Sequence, residues 1–206
     1  MSIPEARLSP LHSITLMTVL LVGGLFTTPV AAQEFVDSGQ SLGDGHTEAV
    51  ATGDLNGDGH PDLVVGNGSV FDIDTPNTVW LNDGTGTLTN TGQSLGTAHT
   101  QDLALVDVDD DGDLDLIAAN GMPDGESGGE TNKVWLNDGT GSFTDTGQGF
   151  GPYDTSSIAV ADLDGDGDPD FVTGREGFSD SNAVWLNDGS GNFGSTVGGR
   201  GRGWGP

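Results

Sequence analysis

Beyond residue 33, apolar and polar residues alternate in short runs, and no window places apolar positions at the 3.6-residue spacing of an amphipathic helix. The runs recur as sets of four. The first of each set is apolar and leads into an acidic stretch, at residues 48–53, 102–106 and 157–161. The second leaves that stretch as Leu63-Val64-Val65, Leu116-Ile117-Ala118 or Phe171-Val172-Thr173. The third holds a tryptophan. An Asn-Asp-Gly turn then leads to a fourth, near residues 87–93 in the first set. Every element reads as a short β-strand bounded by turn residues.

Three sequence phrases fix the repeat. Asp54-Leu55-Asn56-Gly57-Asp58-Gly59-His60-Pro61-Asp62 recurs from Asp107 to Asp115 and from Asp162 to Asp170, at spacings of 53 and 55 residues. Val79-Trp80-Leu81-Asn82-Asp83-Gly84 recurs from Val134 and from Val184. Ser38-Gly39-Gln40-Ser41-Leu42-Gly43 recurs as Thr91-Gly92-Gln93-Ser94-Leu95-Gly96 and Thr146-Gly147-Gln148-Gly149-Phe150-Gly151. Four-stranded units repeated in series predict an all-β chain of β-propeller blades, at about 46–97, 99–151 and 154–197. Residues 34–43 match the fourth strand of a unit and predict one orphan strand ahead of the first blade. Closed propellers need about four to eight blades, so three predict a partial propeller, an open arc. Its two edges invite assembly, and a homo-oligomer through the open blade edges is the expectation.

The acidic stretch has metal-ligating chemistry. In the pattern D-x-[DN]-x-D-G-x-x-D, the side chains at positions one, three and five converge as the chain curls, and glycine at position six permits the sharp turn. The predicted ligands are Asp54, Asn56, Asp58, the carbonyl of His60, and Asp62. The second set is Asp107, Asp109, Asp111, the carbonyl of Asp113, and Asp115; the third is Asp162, Asp164, Asp166, the carbonyl of Asp168, and Asp170. All-oxygen ligation of this flexibility favours Ca2+ over Mg2+, at about three sites. An EF-hand is excluded: it needs glutamate at position twelve, where Val65, Ala118 and Thr173 stand, and it needs flanking helices.

Strand parity puts the acidic loops and the Asn-Asp-Gly turns on one rim of the blades. The second-to-third loops, residues 66–77, 119–132 and 174–182, fall on the other rim; they vary in length and sequence, the profile of a binding surface. His46, His99 and Asp154, each followed by threonine, sit near them and read as a polar collar at the strand ends or as a ligand ring. Trp80, Trp135 and Trp185 recur at one blade position and read as packing between blades rather than as sugar platforms. No catalytic set emerges, because no serine or cysteine is paired with histidine and the recurring acids belong to the loops. The expectation is a chain that is not an enzyme.

Charge narrows the partners. Asp and Glu number 32 against 5 Lys and Arg, a net charge of −27, which disfavours nucleic acid and anionic membrane surfaces. There is no cysteine, so disulfides and thiolate metal sites are excluded. Residues 1–32 read as a signal peptide: Arg7, an apolar run over 14–26, then Val30 and Ala32 before a cleavage point at Gln33. That run is short of the roughly 20 residues a spanning helix needs, so no membrane insertion is expected. Localisation follows as secreted, periplasmic or cell-surface. The glycine- and arginine-containing end, residues 198–206, reads as a disordered tail.

From residue 34 to about 197 the chain resembles the FG-GAP/VCBS-type repeats, which form integrin-α-like β-propellers. The triple DxDxDG pattern with VWLNDG carries the resemblance. Only Phe150-Gly151 spells the namesake dipeptide, and no copy has Gly-Ala-Pro before its first strand, so the match is closer to the bacterial secreted VCBS type. The resemblance implies calcium on the loop aspartates already named. With the export signal, it implies a non-catalytic calcium-binding module for binding an extracellular protein or glycan, in adhesion for example. The alternative is a carbohydrate-active lectin or a propeller accompanying a polysaccharide lyase.

Overall fold

A computed structural model describes residues 34, 36–68, 75–121, 131–151, 154–175 and 182–195. The expected signal peptide and tail lie outside the described residues, as do the middles of the three second-to-third loops. The regular structure among the described residues is twelve β-strands. They form three antiparallel four-stranded sheets, each in simple sequence order, which we call blades one to three. Blade one holds β1 (Thr47–Gly53), β2 (Asp62–Asn67), β3 (Thr78–Asn82) and β4 (Leu88–Asn90). Blade two holds β5 (Thr100–Val106), β6 (Asp115–Asn120), β7 (Asn132–Asn137) and β8 (Phe143–Phe150). Blade three holds β9 (Thr155–Ala161), β10 (Asp170–Arg175), β11 (Ala183–Asn187) and β12 (Phe193–Ser195). No helix among the described residues is long and apolar enough to cross a membrane.

The second strands of blades one and two are covered on both faces, which is why their central residues, Leu63-Val64-Val65 and Leu116-Ile117-Ala118, are apolar without alternation. Every residue of β2 and of β6 is buried. Between the blades lie two cores. Leu55, Val64 and Val79 of blade one meet Leu103, Leu116 and Phe143 of blade two. Val108, Ile117 and Val134 of blade two meet Phe171, Ala183 and Trp185 of blade three, with Phe150 edge-on to both Phe171 and Trp185. First strands pack on first strands, β1 on β5 and β5 on β9, as in consecutive propeller blades. The single chain is an open three-blade arrangement, all-β as its alternation requires.

The third phrase does something the alternation did not reveal. After β4, the Thr91 and Leu95 amides still donate to the Val79 and Asn77 carbonyls, at 2.9 and 3.0 Å, so this backbone pairs with blade one. The Gln93 side chain reaches into blade two instead: Nε2 donates to the Gly141 carbonyl at 2.6 Å, and Oε1 accepts from the Phe143 amide at 2.8 Å. Gln148 clasps Gly191 and Phe193 of blade three in the same way, at 2.7 and 3.1 Å. Residues 91–96, expected to close blade one, therefore join two blades.

The orphan strand is corrected by the same arrangement. Residues 36–43 form no strand, and none of the three sheets among the described residues takes them in. Their side chains still do the second half of the work. Gln40 clasps Gly86 and Leu88, at 2.8 Å each, and Leu42 packs beside Leu63, Val65 and Trp80.

Candidate metal centre

The three acidic loops each join the first strand of a blade to its second. Position nine opens that second strand, and its carboxylate is fully buried in all three copies: Asp62, Asp115 and Asp170. Both of its oxygens accept backbone amides. Asp62 takes Leu55 N at 2.9 Å and Asn82 N at 2.8 Å; Asp115 takes Val108 N and Asn137 N, at 2.9 Å each; Asp170 takes Leu163 N and Asn187 N, at 2.8 Å each. Position nine thus staples the loop to the end of the third strand. A carboxylate oxygen has a second lone pair, so the staple leaves room for a cation.

The second loop is the most demanding electrostatically. One oxygen from each of Asp107, Asp109 and Asp115 lies within 4.8 Å of the other two. Asp107 Oδ1 and Asp109 Oδ1 are buried with no hydrogen-bond partner. Burying an acceptor without a donor costs about 1–3 kcal/mol, more if it is charged, and a cation is the natural compensation. Burial holds the Asp115 carboxyl at a pKa of about 6, with Asp109 and Asp111 raising it further against the two amides that lower it. The Asp109 carboxyl is also raised, by burial first and the Asp111 charge next. A divalent ion would reverse that balance.

The third loop gathers Asp162, Asp164 and Asp166 within the same limit. All three are exposed. Their inner oxygens already accept loop amides: Asp162 takes Gly165 N and Gly167 N, and Asp164 takes Asp166 N. The pKa values of the Asp164 and Asp168 carboxyls are raised, each first by the loop atoms that crowd solvent from it and next by the Asp166 charge; Asp110 of the neighbouring loop adds to Asp168. In the first loop Asn56 replaces an aspartate. Its amide donates to Asp58 Oδ2 at 3.1 Å, and its own oxygen accepts the Asp58 amide, so this loop is partly closed by internal bonds. One negative charge fewer makes it the weakest cation ligand set of the three.

The other expected positions fall as follows. The Asp58 and Asp111 carboxylates cap the amides of His60 and Asp113, at 2.9 and 3.0 Å. The side chains of His60, Asp113 and Asp168 lie over Gly84, Gly139 and Gly189 of the Asn-Asp-Gly turns, so close that any Cβ there would collide. Those glycines also have φ of 76–79°, a second reason for glycine. The acidic loops and the turns therefore share a rim, as strand parity predicted. In the turns, Thr85 and Thr140 hydroxyls hold the Asp83 and Asp138 carboxyls below their ordinary pKa.

On the opposite rim the polar collar packs onto strand ends. The His99 ring covers Gly68, and Asp154 covers Gly121, each at the junction with the preceding blade. Sequence reasoning missed a buried relay beside it. Asn77 Nδ2 donates to Thr100 Oγ1 at 2.8 Å, and Asn132 Nδ2 to Thr155 Oγ1 at 3.0 Å, bonding each blade to the next. The recurrence of asparagine at the start of the third strand was its only signal. A cleft of about 370 Å³ opens on this rim between blades one and two, lined by Trp135, Lys133, Asp145, Thr97 and Thr131 among others.

A model of the FG-GAP-like repeat matches residues 54–118 and again 107–173, more than half of the chain. Each match starts at an acidic loop and ends in the second strand of the following blade. No curated protein matches the chain.

Proposed function

Because the chain belongs to the FG-GAP-like repeat family, we propose that it is an exported, non-catalytic calcium-binding module that binds an extracellular protein or glycan. The calcium reading rests above all on the buried, unpartnered oxygens of Asp107 and Asp109 beside Asp115. Three carboxylates this close, two of them lacking donors, suit a hard cation of flexible coordination. Calcium occupies the second and third loops first and the Asn56 loop last. Export is supported by the residues 1–32 pattern, and the absence of catalysis by the generally non-catalytic character of the repeat family.

Calcium here is structural. It ties the first two strands of a blade together, leaving the opposite rim for recognition. The cleft on that rim favours the glycan side of the reading: an indole, an ammonium paired with Asp145 at 3.1 Å, and threonines suit a sugar's apolar face and hydroxyls.

Titration calorimetry with calcium into metal-free protein tests the first half. Two to three equivalents should bind, and Asp109→Ala should remove one. Binding to the native state alone adds RT ln(1 + [L]/Kd), about 2.7 kcal/mol at a hundredfold excess, so melting should rise with calcium. Equal melting in chelator and in calcium would refute the site. A glycan array, repeated with Trp135→Ala, tests the second half, and turnover of any polysaccharide would overturn the non-catalytic reading.

A further inference from the structure

The two junctions between blades are built to one plan, and the chain carries one half of that plan on each of its outer faces. The trailing half is apolar. Leu55 and Val108 at position two of their loops are each 1% exposed, because the following blade covers them. Leu163, their counterpart in blade three, is 47% exposed. Val64 and Val79 of blade one, like Ile117 and Val134 of blade two, are completely buried; Val172 and Val184 of blade three are only half-buried. Ala159 is exposed where its counterparts Ala51 and Ala104 are packed against the next blade. Among the described residues, the trailing face of blade three lacks the cover that those of blades one and two receive.

The leading half is equally repetitive. Leu103 of blade two sits in the first junction, 9% exposed, and Ile158 packs in the second. Val50, their counterpart in blade one, is 61% exposed. Thr100 and Thr155, which accept the asparagine relay, are fully buried, whereas Thr47 is exposed.

The hydrogen-bonding groups are complementary across these two faces. Asn182 holds the relay position of blade three; its Oδ1 accepts Arg175 N, and its Nδ2 has no acceptor among the described residues. Thr47 donates to Asn67 and receives no relay donor among the described residues. Likewise Asn137 and Asn187 donate back to the Leu55 and Val108 carbonyls of the preceding blade, at 2.9 and 2.8 Å. Asn82 of blade one donates within its own blade, to Pro61.

We propose that two copies of the chain close head to tail, blade three of each packing on blade one of the other, into a six-bladed ring. The contact repeats the junction already made twice within the chain. Leu163 inserts beside the partner copy's turn, Val50 faces the apolar trailing face, and Asn182 completes the relay to Thr47 of the partner subunit. Stoichiometry follows from closure. Propellers close with about four to eight blades; with the three blades among the described residues, two copies supply six, one copy too few to close and three copies too many. Because the contact is heterologous and closes, it leaves no edge for further growth. It needs no strand exchange and none of the acidic carboxylates.

Light scattering on the purified protein, across a dilution series at physiological salt, should give twice the chain mass. Val50→Asp and Leu163→Asp should each halve it. Both positions are exposed, so circular dichroism should remain that of the parent; if Leu163→Asp misfolds, Ala159→Arg probes the same face. The decisive arm mixes the two variants. Each keeps the face the other has lost, so one sound junction forms and dimer mass returns, at higher concentration than for the parent. A monomer at every concentration would overturn the proposal, and so would a dimer indifferent to both variants. Failure of the mixture to recover would indicate a like-with-like contact and overturn head-to-tail closure, and open-ended polymer would overturn the ring.

Discussion

Replacing Gln93 with alanine tests whether the glutamine clasp holds blades together. The substitution removes two short bonds, from Nε2 to the Gly141 carbonyl and from the Phe143 amide to Oε1. Each contributes about 1 kcal/mol net, but groups left desolvated cost about 1–3 kcal/mol. Gly141 is buried and Phe143 is 8% exposed, so neither group regains water freely. The expected loss is about 2–3 kcal/mol. Gln40→Ala removes the same two bonds where Gly86 is exposed and Leu88 half-exposed, so water replaces the amide and the loss stays below about 1 kcal/mol. Gln93→Glu keeps the acceptor for Phe143 but sets an oxygen against the Gly141 carbonyl, and should cost at least as much as alanine. Urea unfolding followed by tryptophan fluorescence, in saturating calcium, reads the differences as midpoint shifts at constant slope. Equal costs at Gln40 and Gln93, or a Gln93→Ala change within about 0.5 kcal/mol of the parent, would refute the clasp as a stabilising device.

Two further outcomes follow from the acidic loops. Asp110 has φ of +61°, where the first and third loops have Gly57 and Gly165, so Asp110→Gly should stabilise the metal-free protein by about 0.5–1 kcal/mol in the same unfolding assay. For pH, the Asp115 pKa of about 6 lies above its ordinary value, so the folded state holds a proton the unfolded chain releases. That stabilising contribution is complete below about pH 4 and is lost as pH rises through about 6. Calcium-free protein should therefore melt higher at about pH 5 than at 7, while calcium-loaded protein should melt lower there, because protons compete with the ion. The same trend with and without calcium would refute the linkage.

How far the sequence carried depended on whether a residue acts on its neighbours or at a distance. The strands were legible because alternation is local: Leu63 to Val65 are apolar without a break, and β2 is covered on both faces. The acidic loops were legible for the same reason, since Asp107 and Asp109 are two residues apart and meet within one turn. Position nine shows the limit. Asp115 reads as one more ligand, yet its partners include the Asn137 amide, 22 residues on, and its burial comes from the strand it opens. Gln93 was seen to recur but resembled the polar half of a strand, because its partners Gly141 and Phe143 lie 48 and 50 residues away in the next blade. Asn77 and Thr100 were hidden in the same way, 23 residues apart across a junction. A repeat records such long-range bonds only as recurrence, so the recurring polar residues that local structure leaves unexplained are the ones that join blade to blade. Asn182 has that status in blade three: it recurs with Asn77 and Asn132, its Nδ2 meets no acceptor among the described residues, and in the proposed ring Thr47 of the partner subunit supplies one.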